Sequence, residues 1–252
     1  MKIALLGYGK MGMAIEKIAI AKNHEIIYKV TLENAFDFMP VSLKNVDVAI
    51  DFSMPTAAYD NILKCFEAGV PVVVGTTGWY DQLDEIKKIA IDQNQALVYS
   101  SNFSIGVNLF FKLNQVLASM MKNFSEYDVM IEEIHHTAKK DHPSGTALSL
   151  AKHIQENYPQ KSTIKDRLIY DKSHPSQSTK PNELLIESYR EGEVTGLHTV
   201  KYESVIDSIQ ITHDAKSRFG FAKGALLAAE WIIGKKGVYT MDDILNIDGP
   251  NK

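Results

Sequence analysis

A short apolar stretch, residues 3–6, runs straight into Gly7-Tyr8-Gly9-Lys10-Met11-Gly12, and the apolar residues Ala14, Ile15, Ile18 and Ala19 then follow at helical spacing. A G-x-G-x-x-G turn between a strand and a helix is the opening of a βαβ unit. Gly7 permits the tight turn. Gly9 lets a phosphate approach the backbone, and Gly12 lets the helix pack closely on the strand. The helix N-terminus offers free N–H groups and a positive dipole end to a pyrophosphate. All six residues of the turn are therefore expected in a dinucleotide site.

The alternation continues. Strands are expected over 24–30, 46–51, 70–74 and 96–99, and helices over 56–68 and 80–92. Ser53 is placed to cap the 56–68 helix, with Pro55 in its first turn. The run 70–74 is continuously apolar and β-branched, as suits a strand buried on both faces of a parallel sheet. This is an α/β, Rossmann-type dinucleotide-binding domain. An acidic residue usually ends the second strand and binds the ribose. Here Thr31 stands near that place, with Glu33 two residues on; Thr31 with Lys29 nearby would tolerate a 2′-phosphate, so NADH and NADPH both stay open. Gly75-Thr76-Thr77-Gly78 and Ser100-Ser101-Asn102-Phe103 leave later strands on the ligand side of such a sheet. They are expected to line the nicotinamide end.

The pattern changes after Asn102. A long helix is expected over 106–122, a strand over 128–135 and a helix over 144–157 capped by Ser144. The polar stretch 160–182 reads as a long surface loop. Strands over 184–189, 196–202 and 208–213 follow without intervening helices. They make a second, α+β domain with a mixed or antiparallel sheet. A last helix, 221–233, is suited to pack back on the first domain. The expected division is 1–105 with 219–252, and 106–218.

The formal net charge of −4 disfavours a general nucleic-acid binder. Cys65 is the only cysteine and reads as a buried helix residue, so no internal disulfide can form. The N-terminus shows no signal peptide and no stretch reaches membrane-spanning length, so a cytoplasmic protein is expected.

The densest polar cluster runs from Glu132-Glu133-Ile134-His135-His136 through Lys139, Asp141 and His142 to Pro143-Ser144-Gly145-Thr146-Ala147. A strand ends at the histidines, a cationic loop follows, and a helix begins near Ser144. That helix end is an anion site. The Ser144 and Thr146 hydroxyls, the Gly145 N–H and the Lys139 charge are expected to converge on a carboxylate. Histidine suits proton transfer near neutral pH. Adjacent strand residues point to opposite faces, so His135 and His136 should not chelate one ion, and no metal is expected. His24, His153, His174, His198 and His213 are scattered and read as surface or structural.

The stretch from Glu132 to Ala147 resembles the signature E-x-x-H-H-x-x-K-x-D-x-P-S-G-T-A of the dihydrodipicolinate reductase family, also called 4-hydroxy-tetrahydrodipicolinate reductases, of bacterial lysine and diaminopimelate synthesis. The resemblance extends to the glycine turn, Asp51-Phe52-Ser53, the loop at Gly75, Asn102-Phe103-Ser104 and the segment 218–231. It implies hydride delivery from NADH or NADPH to a cyclic imine-type dicarboxylate, with loss of water. It makes His135 the acid–base residue and Lys139 the proton donor. His136, Lys139, Ser144, Gly145 and Thr146 hold the substrate. It also implies a homotetramer joined through the second domains, with hinges near Gly106 and Arg218. Two departures bear on cofactor preference: the glycine loop is one residue shorter than in many members, and Thr31 replaces the usual acid. The chain is also short before Val46, which should cost a helix or loop at the sheet edge. Rival readings are another dehydrogenase on the same frame, or a non-catalytic NAD(H) sensor. Neither needs this histidine-lysine cluster.

Overall fold

The computed structural model describes residues 1–170, 180–217 and 219–246. The chain divides into two compact units, Met1–Asn108 with Phe219–Lys252, and Leu109–Arg218. His174 and Arg218, the latter expected near a hinge, lie outside the described residues.

The first unit is built on strands β1 (Lys2–Leu6), β2 (Glu25–Val30), β3 (Val48–Asp51), β4 (Val72–Val74), β5 (Ala96–Tyr99) and β11 (Gly237–Tyr239). They pair in the order β11-β5-β4-β3-β1-β2, every pair parallel. Period-two alternation splits the strand residues between two cores. Ala4, Leu6, Ala49, Val72, Val74 and Leu97 face helices α2 (Pro55–Glu67) and α3 (Leu83–Asp92). Ile3, Leu5, Val48, Ile50, Val73 and Val98 face α1 (Lys10–Ala21) and α6 (Phe219–Ile232). Both faces are covered, which is why these strands read as continuous apolar runs. Cys65 is fully buried in the first core, and burial pushes its thiol well up.

Between β2 and β3 the chain makes two short 3-10 turns, Ala35–Asp37 and Pro40–Leu43. No crossover helix stands in this connection, the economy expected before Val46. From β2 at one edge the chain returns to β3 on the other side of β1. Strand order reverses there, so the crevice beyond the carboxyl ends of β1 and β3 is where a ligand binds in such sheets.

The second unit has the sheet order β10-β9-β6-β8-β7. Its strands are β6 (Asp128–His135), β7 (Thr163–Ile169), β8 (Glu183–Arg190), β9 (Leu197–Glu203) and β10 (Ser208–Asp214). The pairs β6–β8 and β7–β8 are parallel, while β6–β9 and β9–β10 are antiparallel. Residues of α4 (Ile105–Met121) and α5 (Gly145–Asn157) cover one face, with Phe110, Ala118, Leu150 and Ile154 packed on Val129, Ile131, Ile186 and Tyr202.

Three elements depart from the sequence reading. The stretch 160–182 is not wholly a loop: β7 lies within it, a polar edge strand whose pairing is supplied by β8. Residues 171–179 lie outside the described residues. Strand β11 and the short helix α7 (Met241–Leu245) were not foreseen. Ser53 does not cap α2; Met54 holds that position, and the Ser53 hydroxyl donates to Asp51 at 2.8 Å.

Candidate active site

The glycine turn sits at the carboxyl end of β1, with Gly7 at φ 90°. A Cβ on Gly7 would lie 2.3 Å from the Phe52 carbonyl oxygen, and one on Gly12 would lie 2.5 Å from that of Gly7. A Cβ on Gly9 would meet nothing within 4 Å. Gly7 and Gly12 are thus required by the fold, whereas at Gly9 the fold itself leaves room for a side chain. A cleft of about 450 Å³ opens there, lined by Gly9, Lys10, Met11, Phe52, Ser53, Pro55, Gly75, Thr76 and Thr77. The first N–H groups of α1 have no partner within the helix and point toward this end. A bare glycine, an open cleft and a helix N-terminus fit a pyrophosphate.

Beneath the cleft lies a buried polar knot that the sequence did not disclose. Asp51 is fully buried at the end of β3. Its carboxylate accepts from the Thr76 hydroxyl at 2.6 Å, the Asn61 amide at 2.8 Å and the Ser53 N–H at 3.0 Å. Burial raises its pKa, and these donors oppose the rise. The Thr76 hydroxyl, expected to line the ribose, is therefore spent on Asp51; Thr77 is exposed on the cleft.

Thr31 follows β2 directly. Its N–H donates to the Asn34 side chain at 2.7 Å, and its hydroxyl accepts from the Glu33 N–H at 3.2 Å. Glu33 is exposed. Lys29 pairs with Glu16 at 2.6 Å and lies 4.4 Å from the centre of the Tyr8 ring. Tyr8 also hydrogen-bonds Glu16. In the loop after β5, Ser100 and Asn102 hold each other, and the Asn102 side-chain oxygen accepts from the Ser104 N–H at 2.9 Å. Ser101 is exposed. Phe103 turns into the core, 1% exposed, edge-on to Phe52. Only its backbone is left to meet a cofactor. Gly78 adopts φ 82° against Pro55.

In the second unit, alternation along β6 puts Val129, Ile131, Glu133 and His135 on the buried face. Glu133 is fully buried. The Ser144 N–H donates to both its carboxylate oxygens at 3.1 Å. His135 Nδ1 lies 3.7 Å and His198 Nε2 3.5 Å from Glu133 Oε2. Burial alone would raise the Glu133 carboxyl, but hydrogen bonds from its neighbours hold it at about 2. Burial lowers His135 to about 4 against the pull of Glu133. At neutral pH this is an ionised carboxylate beside a neutral imidazole.

Ser144 caps α5: its hydroxyl accepts from the Ala147 N–H at 3.2 Å and lies 3.0 Å from His198 Nε2. That hydroxyl, expected on the substrate, is turned to His198, and Ser144 as a residue is 4% exposed. Gly145 is exposed and Thr146 half-buried at the open end of the helix. Lys139 reaches Asp141 at 2.5 Å, while His136 is half-buried just beyond β6. His142 pairs with Asp166 at 2.7 Å. Glu133 belongs to the polar cluster of the sequence, and His198, distant in the chain, lies opposite it in the β6–β9 register. Glu133, His135 and His198 place ligand-type atoms within 4.8 Å of one another.

Two family models match the chain: "Dihydrodipicolinate reductase, N-terminus" over residues 1–103 and "Dihydrodipicolinate reductase, C-terminus" over residues 106–245. The chain belongs to the dihydrodipicolinate reductase family. A 4-hydroxy-tetrahydrodipicolinate reductase of Christiangramia forsetii is 48% identical over 246 residues, 98% of each chain. One from Methanocaldococcus jannaschii is 39% identical over 204 residues, 80% of this chain and 72% of that one. The fold matches a dipicolinate-bound dihydrodipicolinate reductase from Paenisporosarcina sp. TG-14 with a TM-score of 0.74, at 22% identity and covering 95% and 97% of the two chains. An amine dehydrogenase from Mycobacterium smegmatis shares the fold more distantly, with a TM-score of 0.58 at 11% identity, covering 96% and 95%. No helix of this reductase, among the described residues, is long and apolar enough to cross a membrane.

Proposed function

We propose that His135 and Lys139, with the start of α5, form the reducing site for a small cyclic dicarboxylate. The chain is an NAD(P)H-dependent reductase of 4-hydroxy-tetrahydrodipicolinate, the activity that its family carries in lysine and diaminopimelate biosynthesis. The residue assignments rest chiefly on one observation. The buried Glu133 carboxylate accepts from the N–H of Ser144, the cap of α5, and the His135 imidazole lies 3.7 Å from it.

The unit Met1–Asn108 with Phe219–Lys252 holds the dinucleotide, and Leu109–Arg218 holds the substrate. When bound, the nicotinamide cofactor supplies the hydride. Gly7, Tyr8, Gly9, Lys10, Met11 and Gly12 receive its pyrophosphate. Thr31 stands at the ribose position, with no carboxylate of its own to repel a 2′-phosphate. Gly75, Thr76, Thr77 and Gly78 and the loop Ser100-Ser101-Asn102-Phe103 take the nicotinamide end, Thr76 and Phe103 acting as supports.

The Gly145 and Thr146 N–H groups at the start of α5 hold one substrate carboxylate, aided by the helix dipole. Ser144 serves them by fixing the helix end. Lys139 brings positive charge, and His136 a ring N–H that can donate a hydrogen bond. Asp141, the present partner of Lys139, is largely exposed. Such a pair is weak and readily exchanged for a substrate carboxylate. Lys139 then donates the proton, and the neutral His135 orients and relays it.

The resemblance also gives a cytoplasmic homotetramer joined through the second units. Val205, Ile206 and Ile209, exposed near the β9–β10 turn, support such an assembly. The deciding experiment generates the substrate in place from pyruvate and aspartate semialdehyde with a synthase. Oxidation of NADH and NADPH is followed side by side. Rapid oxidation that depends on the synthase product is expected. No oxidation by protein shown to bind either cofactor overturns the reading.

A further inference from the structure

The segment from Arg190 to His198 joins β8 to β9, and nothing above gives its residues a part in the reaction. Yet it laces the whole loop 135–144 into place. Arg190 is buried at the end of β8, 8% exposed. Its Nε donates to the Lys139 carbonyl at 3.0 Å and one Nη to the Asp141 carbonyl at 2.8 Å. Its other Nη donates to the Tyr189 carbonyl at 2.9 Å. The Glu191 N–H donates to the His135 carbonyl at 2.9 Å, and the Thr137 N–H to the Gly192 carbonyl at 3.2 Å. Gly196 passes so close that a Cβ there would lie 3.1 Å from His135 Nε2. His198 then reaches Ser144 and Glu133 at the start of α5.

We propose that Arg190 and His198 are positioning residues of the reductase: Arg190 fixes the backbone that carries Lys139, and His198 with Glu133 fixes the carboxylate-binding end of α5. The inference rests on the roles given above to Lys139 and α5. Its physical basis is the loop itself. Residues 136–144 form no helix or strand that would hold them, and Lys139 ends a flexible stem. A planar guanidinium with five donors can grip carbonyls two residues apart; an ammonium, a single compact charge, cannot reproduce that fork. At the helix end, an apolar residue in place of His198 would leave the buried Ser144 hydroxyl and Glu133 carboxylate short of a partner.

The test uses the full chain, with substrate generated by the synthase. Arg190→Lys, His198→Leu and His198→Gln are compared for kcat, KM, thermal melting and NADPH affinity. Arg190→Lys is expected to lose about 100-fold in kcat, as misplacement of a reacting group by about 1 Å does. Its NADPH affinity should not change. His198→Leu is expected to raise the substrate KM about tenfold or more. His198→Gln, whose amide reaches the place of Nε2, should recover most of that loss. A folded Arg190→Lys with wild-type kcat overturns the role of Arg190. Equal KM values for the two His198 variants overturn that of His198, and this pair decides alone if Arg190→Lys does not fold. A wild-type chain inactive with both cofactors overturns the functional reading and this inference together; an active one with unaffected variants overturns only the inference.

Discussion

The three glycines of the first turn look alike in the sequence and do different work. Gly7 and Gly12 each abut a carbonyl oxygen at less than 3 Å from a would-be Cβ, while Gly9 faces open space. Gly12→Ala is therefore expected to lower the melting temperature. Gly9→Ala should melt like wild type and bind NADPH at least about tenfold more weakly, since a methyl displaces the pyrophosphate. Titration of both variants beside their melting curves checks this, and a Gly9 variant with unchanged affinity would refute the nucleotide assignment. His135 carries a second prediction. Its imidazole is held at about 4, below its ordinary 6.5. Between those values the unfolded chain binds a proton that the folded chain refuses, so stability falls as pH drops through that window. His213, also lowered by burial, acts with the same sign. Glu133, held at about 2 against an ordinary 4.5, extends the loss to lower pH. Melting temperature should thus decline from pH 7 to pH 4, and His135→Gln should flatten the slope above pH 4.5. An unchanged slope would mean that the imidazole is not held neutral.

Among the elements, helix α5 has one side chain that serves the fold and, in the function proposed above, the site. Its cap is Ser144, whose hydroxyl holds the Ala147 N–H. Ser144→Ala is expected to cost about 1 kcal/mol, as lost caps do, and to raise the substrate KM with little change in NADPH affinity. Chemical denaturation and steady-state kinetics read the two effects separately. A variant with wild-type stability and KM would remove Ser144 from both roles. This helix was legible because a serine precedes a helical apolar period. Strand β7 was not: Lys165, Asp166 and Arg167 make it read as solvent-facing chain, and only its neighbour β8 gives it a ladder. Strand β11 has three residues, too few for any period, and exists because β5 has an edge to pair.

At the scale of the whole molecule, the core of the first unit is closed by helix α6. Ala222, Ala225, Leu226, Ala229 and Ile232 of α6 complete the core on the face of the parallel sheet that carries Ile3, Leu5, Val48, Ile50 and Val73. A chain ending at residue 217 should expose that face, bind a hydrophobic dye and lose NADPH binding. A soluble truncation with native NADPH affinity would show that α6 is dispensable. Four chains of 28.2 kDa are expected in solution, and light scattering that finds a stable monomer at micromolar concentration would exclude the tetramer.

By itself the sequence determined the parallel α/β frame, the glycine turn and the polar stretch that carries His135, Lys139 and the start of α5. These depend on glycine conformational freedom, on apolar period and on residues close together in the chain, all of which are local. Only the tertiary structure decided which residues from distant parts of the chain meet this stretch. Glu133 meets His198 because β6 and β9 pair in one register, and a slip of one residue would turn either side chain to the other face. Arg190 reaches the Lys139 loop because β8 lies beside β6. Register and strand order are set by the packing of whole faces, and no short stretch of sequence contains them.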